Sequence, residues 1–83
     1  MQKDIYSSNG QEISLFGDGT FTATLSNGVS KSGTYTTSEI DDVILEVVFD
    51  ADNEEFYCDI INNEMSLPEA WDNGSGNRLK KQG

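Results

Sequence analysis

Two short turns that agree on one hydrophobic register constrain this chain more than any other feature. Val43, Leu45, Val47 and Phe49 alternate with Ile44, Glu46, Val48 and Asp50, and Phe56, Cys58 and Ile60 alternate with Tyr57, Asp59 and Ile61. That is the period-two pattern of strands with one buried face. Asp52-Asn53 separates the two runs, and both residue types tolerate the positive φ angles of a tight hairpin. A two-residue turn there sets Phe49 opposite Phe56, Val47 opposite Cys58 and Leu45 opposite Ile60. Asn62-Asn63 repeats the device, placing Ile60 opposite Met65 and Cys58 opposite Leu67. A slip of one residue would turn every apolar side chain outward, so agreement between turn chemistry and hydrophobic parity defines a three-strand meander. Its other face pairs Val48 with Tyr57 and Ile44 with Ile61, and sets Glu46 across from Asp59, a like-charge pair that costs stability.

The preceding sequence adds strands to this meander. Gln11 to Phe16 and Thr20 to Leu25 flank Gly17-Asp18-Gly19, a loop that pairs Leu15 with Phe21 and Ile13 with Ala23 and turns Thr20, Thr22 and Thr24 to water. A three-residue turn at Ser26-Asn27-Gly28 sets Leu25 across from Val29 and Phe21 across from Gly33, on a strand running from Val29 to Thr37. Ile5 and Tyr6 form a short first strand or dock on the sheet edge. Past Pro68 the sequence reads as a strand end and a flexible loop from 69 to 77, with Trp71 as a lid on the core; Arg78 to Gln82 reads as a closing strand whose three bases lie beside an acidic one, with a frayed tail as the alternative. No segment has a helical period. The expected fold is all-β: a single small antiparallel up-and-down meander of six or seven strands, as a curled sheet or a small, partly open barrel. One acidic domain is expected over residues 1–83, with 1–10 and 72–83 as flexible segments.

At GDGTF (Gly17 to Phe21) and SGTY (Ser32 to Tyr35) the chain resembles the small bacterial lipocalin-like β-meander domains. In those domains a DGTF hairpin precedes a GTY strand and a further apolar strand. The likeness runs from about Ile13 to Val48. It implies a β-meander and assigns no functional residue.

Charge says more about function. The net charge is −10, and twelve of the fifteen acids fall between Lys31 and Arg78, where there is no base; only Asp4, Glu12 and Asp18 lie outside. Such a field repels nucleic acid and anionic membrane and favours basic partners, more weakly as salt rises. Histidine is absent, which excludes the common Ser-His-Asp and Cys-His sites and imidazole-bound zinc. Cys58, the one cysteine, sits at an apolar alternating position and reads as an inert buried thiol. Asp50, Asp52, Asn53, Glu54 and Glu55 are oxygen-rich, but Glu55 stands where an EF-hand needs glycine and Ile61 where it needs its bidentate acid. Glu46 with Asp59 lacks the groove of a glycosidase. No enzyme activity, metal or cofactor is expected.

No run reaches the ~18 apolar residues of a membrane span. Met1-Gln2-Lys3-Asp4 opens without a signal-peptide core. The expected location is the cytoplasm (the host cytosol for a phage-encoded chain), or outside it if a leader has been removed. The expected function is binding. Asp42, Glu46, Asp50, Asp52, Glu54, Glu55, Tyr57, Asp59 and Glu64 form an acidic face for a basic protein surface, such as that of a nucleic-acid-binding protein or nuclease complex. Carboxylates at alternate strand positions recur every ~6.8 Å, about every second phosphate of a DNA strand. In being small, acidic and without catalytic groups, the chain resembles phage-encoded nucleic-acid mimics and anti-CRISPR proteins. A lipocalin-like structural or small-ligand module is the alternative. The protein is expected as a monomer or as a dimer paired through a free sheet edge.

Overall fold

Each strand pairs antiparallel with the next in sequence, and the first pairs with the last. The computed structural model describes residues 3–8, 10–68, 70–71 and 78–82. Among these the chain forms β1 (Lys3–Ser8), β2 (Gln11–Phe16), β3 (Thr20–Thr24), β4 (Ser30–Glu39), β5 (Ile44–Ala51), β6 (Glu54–Ile61), β7 (Glu64–Ser66) and β8 (Arg78–Gln82). They close into a barrel through the β1–β8 ladder, in which Ile5, Tyr6 and Ser7 face Gln82, Lys81 and Lys80. The barrel has eight strands where six or seven were expected, and it is closed. The chain ends carry few alternating apolar residues of their own, and their strands exist because each completes the other's hydrogen bonding. Residues 72–77 of the expected loop, and Glu69, lie outside the described residues.

Local chemistry sets the turns. Asp52 and Asn53 have φ of 55° and 63°, and Asn62 and Asn63 of 52° and 65°, the left-handed pair of a two-residue hairpin whose twist matches the flanking strands. Every expected β5–β6 pair forms. The wider loops each end on a glycine of positive φ, Gly19 at 90° and Gly28 at 85°, giving Leu15–Phe21, Ile13–Ala23 and Phe21–Gly33 as expected. The Asp18 carboxylate accepts from the Thr20 N–H at 3.0 Å and the Thr20 hydroxyl at 2.6 Å. Those bonds hold its pKa below the ordinary aspartate range. One expected pair does not form. The β6–β7 ladder holds Ile60–Met65 and Ile61–Glu64 but not Cys58–Leu67. The Ser66 hydroxyl takes the Asp59 N–H at 3.0 Å, replacing a backbone acceptor, and Leu67 turns away into the core ahead of Pro68, which has no N–H to give a ladder.

The barrel interior is packed with side chains. Phe21 and Phe49 pack as a tilted pair with ring centroids 4.5 Å apart. Trp71 lies over Phe56, Phe49 and Phe21 at 4.9, 5.3 and 5.9 Å. The Trp71 backbone N–H donates to the Pro68 carbonyl at 2.9 Å, and this turn folds the indole back as the expected lid. Tyr35 ties β4 to β2 by donating its hydroxyl to the Phe16 carbonyl at 2.8 Å. At Gly33 the backbone of β4 comes so close to β5 that a Cβ would collide with the Asp50 carbonyl oxygen. A side chain there would force two central strands apart. Replacing Gly33 with Ala should therefore cost about 3 kcal/mol of unfolding free energy, read from urea midpoints. Ser32→Ala, on an exposed neighbour, should stay within about 0.5 kcal/mol of the parent.

Candidate docking face on β5 and β6

Register on the inner side decides what stands on the outer side. With Phe49 across from Phe56, the outward positions of β5 and β6 form cross-strand rows: Glu46 with Asp59, Val48 with Tyr57, and Asp50 with Glu55. The middle row is apolar, and Tyr57 is 57% exposed. Its hydroxyl donates to Glu55 Oε1 at 3.1 Å, which orients the ring. That hydrogen bond first, then the charge of Glu55, some burial and the charge of Glu46, raises the Tyr57 pKa above the ordinary tyrosine value. Beside the rows lies an open groove of about 430 Å³ lined by Ile40, Ile44, Glu46, Tyr57, Asp59 and Ser66, with Cys58 beneath.

The nine expected contact residues do not form one patch. Glu46, Asp50, Glu55, Tyr57 and Asp59 share the outer face of the two strands. Asp42 stands at the β4–β5 turn and Asp52 and Glu54 at the β5–β6 turn, at opposite ends of eight-residue strands about 24 Å long. Glu64 lies on β7. The expected 6.8 Å carboxylate repeat does not occur along these strands, because Val48 and Tyr57 take the intervening outward positions. The carboxylate rows are instead about 13 Å apart.

The cations further sort the acids. Arg78 reaches Asp59 Oδ1 through Nη2 at 3.5 Å and Glu64 Oε1 through Nε at 3.6 Å, and Nη2 donates to the Glu64 carbonyl at 3.3 Å. Ser66 Oγ donates to Asp59 Oδ1 at 2.8 Å. Lys31 meets Asp52 at 3.3 Å. The expected clash of Glu46 with Asp59 is thus eased by Arg78. Among the described residues Asp42, Glu46, Asp50, Glu54 and Glu55 make no ion pair. Exposed pairs of this kind are worth at most about 1 kcal/mol, so they redistribute charge more than they stabilise.

Ile40 was missed as a contact residue. The available signal was an aliphatic residue among acids in a turn, where polar residues normally stand. It is 60% exposed. Among the described residues no three His, Cys, Asp or Glu side chains converge as metal ligands would, and no helix is long and apolar enough to cross a membrane. A comparison of the chain with protein-family models, curated proteins and solved structures found no match.

Cys58 lies under the face, buried, with its thiol pushed up to about 12 by burial and then by the Asp59 charge, against a smaller opposing effect of Arg78. Native protein at pH 8 should react with a thiol reagent more than about a hundredfold slower than the urea-unfolded chain. The folded state keeps this proton where the unfolded state loses it. The contribution to stability is therefore whole below about pH 9 and falls away towards pH 12. Cys58→Val should lack that part of the alkaline loss, measured as urea midpoint against pH.

Proposed function

We propose that the protein is a non-enzymatic acidic binding protein, an inhibitor that occupies a basic, nucleic-acid-binding surface of a partner in the manner of anti-CRISPR or nucleic-acid-mimic proteins. The observation that carries this reading is the Val48–Tyr57 row standing between two carboxylate rows, on strands that contain no Lys or Arg. An oriented tyrosine ringed by polar groups has the make-up of a binding hot spot. The unpaired carboxylates steer a basic surface onto it and set its orientation. Rows about 13 Å apart match about four phosphate steps along a DNA strand, so the face meets Lys and Arg side chains that otherwise hold a backbone.

Barrel closure pairs β1 with β8, which favours action as a monomer. Partners of this kind place the action in the cytosol. The lipocalin-like alternative would hold a ligand inside the barrel, where Phe21, Phe49, Phe56 and Trp71 are packed.

The test is capture from bacterial lysates by the tagged protein. Retention of a basic nucleic-acid-binding protein, released by high salt and displaced by added DNA or RNA, is the expected result. Glu46→Lys with Asp50→Lys should weaken capture at least about a hundredfold with the circular dichroism unchanged, since neither side chain is tied to the fold by an ion pair. Tyr57→Ala should weaken it about thirtyfold. Undiminished capture by the double variant overturns the proposal.

A further inference from the structure

The β4–β5 hairpin reaches one rim of the barrel. Thr37 and Glu39 have the inward parity of Tyr35, yet both are exposed while their partners Val47 and Leu45 are buried and half-buried, so the end of β4 and the turn after it stand clear of the core at this rim. Its tip is held by its own backbone: the Ile40 and Asp41 N–H groups donate to the Ile44 carbonyl at 3.0 and 3.2 Å, and Ile44 N–H donates to the Asp41 carbonyl at 3.3 Å. On this tip Val43 is 56% exposed. It lines a cavity of about 450 Å³ at the barrel mouth, with Tyr6, Leu45 and Ile60 as apolar lining. Asp4, Glu39, Asp41 and Asp42 border the same cavity, against one base, Lys81, which lies 3.8 Å from Asp4.

We propose that this mouth is a second docking groove, filled by a basic amphipathic segment of the partner protein, its apolar side chains against Val43 and Leu45 and its ammonium or guanidinium groups against the rim carboxylates. The inference rests on the basic partner proposed above and adds the kind of segment it presents. Two constraints select the occupant. A neutral apolar segment would desolvate carboxylates without pairing them. A wholly polar basic segment would leave Val43 and the open part of Leu45 in water and forgo the gain of burying them. A segment with one apolar side and one basic side satisfies both, and its charge complements four carboxylates facing a single ammonium. The groove is continuous with the outer face, since Ile44 lines both cavities and Ile40 stands on the outer side of the same tip. One partner can therefore straddle the hairpin.

The probe is a synthetic amphipathic Leu/Lys peptide, titrated into methyl-labelled protein and followed by NMR, beside a control in which every leucine is serine. The methyl signals of Val43, Leu45 and Ile60 should shift together and saturate, and the serine control should bind more than about tenfold more weakly. Val43→Asp should weaken binding about tenfold. Lys81→Gln removes the competing cation and should tighten binding about two- to fivefold, a gain that misfolding cannot produce. Equal binding of the serine control, or methyl shifts confined to Val48 and Ile61 of the outer face, overturns the proposal. If the Glu46→Lys, Asp50→Lys variant loses the partner while the mouth ignores the peptide, the groove fails alone. If the mouth binds peptide while that variant keeps the partner, the outer-face reading fails and the groove stands.

Discussion

The pairing of β5 with β6 is the constraint on which the rest of this molecule depends. Two residues in left-handed conformation, Asp52 and Asn53, leave one register open to the strands they join. Because side chains alternate between faces, that register makes two decisions at once. It sends Val47, Phe49, Cys58 and Ile60 into the core, and by parity it stands Glu46, Val48, Asp50, Glu55, Tyr57 and Asp59 outside. The acidic rows and the core are one decision seen from two sides. No outward residue could change rows without dragging a core residue with it.

The core in turn explains why so small a chain closes. A chain of this size buries little more than about 60% of its unfolded surface, and an open sheet would bury less on one face. Closure lets Phe21, Phe49 and Phe56 meet under Trp71. Offset and tilted aromatic contacts of this kind add to the area they bury. Gly33 makes the closure possible where β4 and β5 nearly touch. The chain ends then pair because the curled sheet brings β1 and β8 together. Polar groups are not all satisfied in this packing: Gln11 Oε1 and Trp71 Nε1 are buried without a hydrogen-bond partner among the described residues. Each such group carries a desolvation cost, offset for Trp71 by the contacts of its ring with Phe21, Phe49 and Phe56.

Electrostatics follows from topology. The bases of β8 come from the far end of the chain, and Arg78 lands beside Asp59 and Glu64 because β8 pairs with β7. Lys81 likewise lands beside Asp4 because β8 pairs with β1. Among the described residues no such cation reaches the middle of the β5–β6 face, and its charge stays open to solvent. Glu46, Asp50 and Glu55 are therefore the acids whose field reaches outward, while Asp59 is partly neutralised and held by Ser66.

Much of this was legible in the order of residues. Alternation and turn chemistry are local, so the hairpins at Gly17-Asp18-Gly19, Asp52-Asn53 and Asn62-Asn63, the partners of Phe49 and the cross-strand meeting of Glu46 with Asp59 could be read directly. The lid role of Trp71 followed from its place after Pro68. Contacts between segments distant in sequence were not legible. The bases of the last strand were expected beside an acidic one, but the choice of Asp59 and Glu64 as partners of Arg78, the β1–β8 ladder, the loss of the Cys58–Leu67 pair to a serine hydroxyl, and the two grooves on either side of the β4–β5 tip all depend on how the sheet curls. Thus the sequence by itself determined which side of each strand faces inward, because parity and turn geometry act over a few residues. Only the tertiary structure decided that the sheet closes and which carboxylates remain unpaired, because curvature is a property of all the strands together.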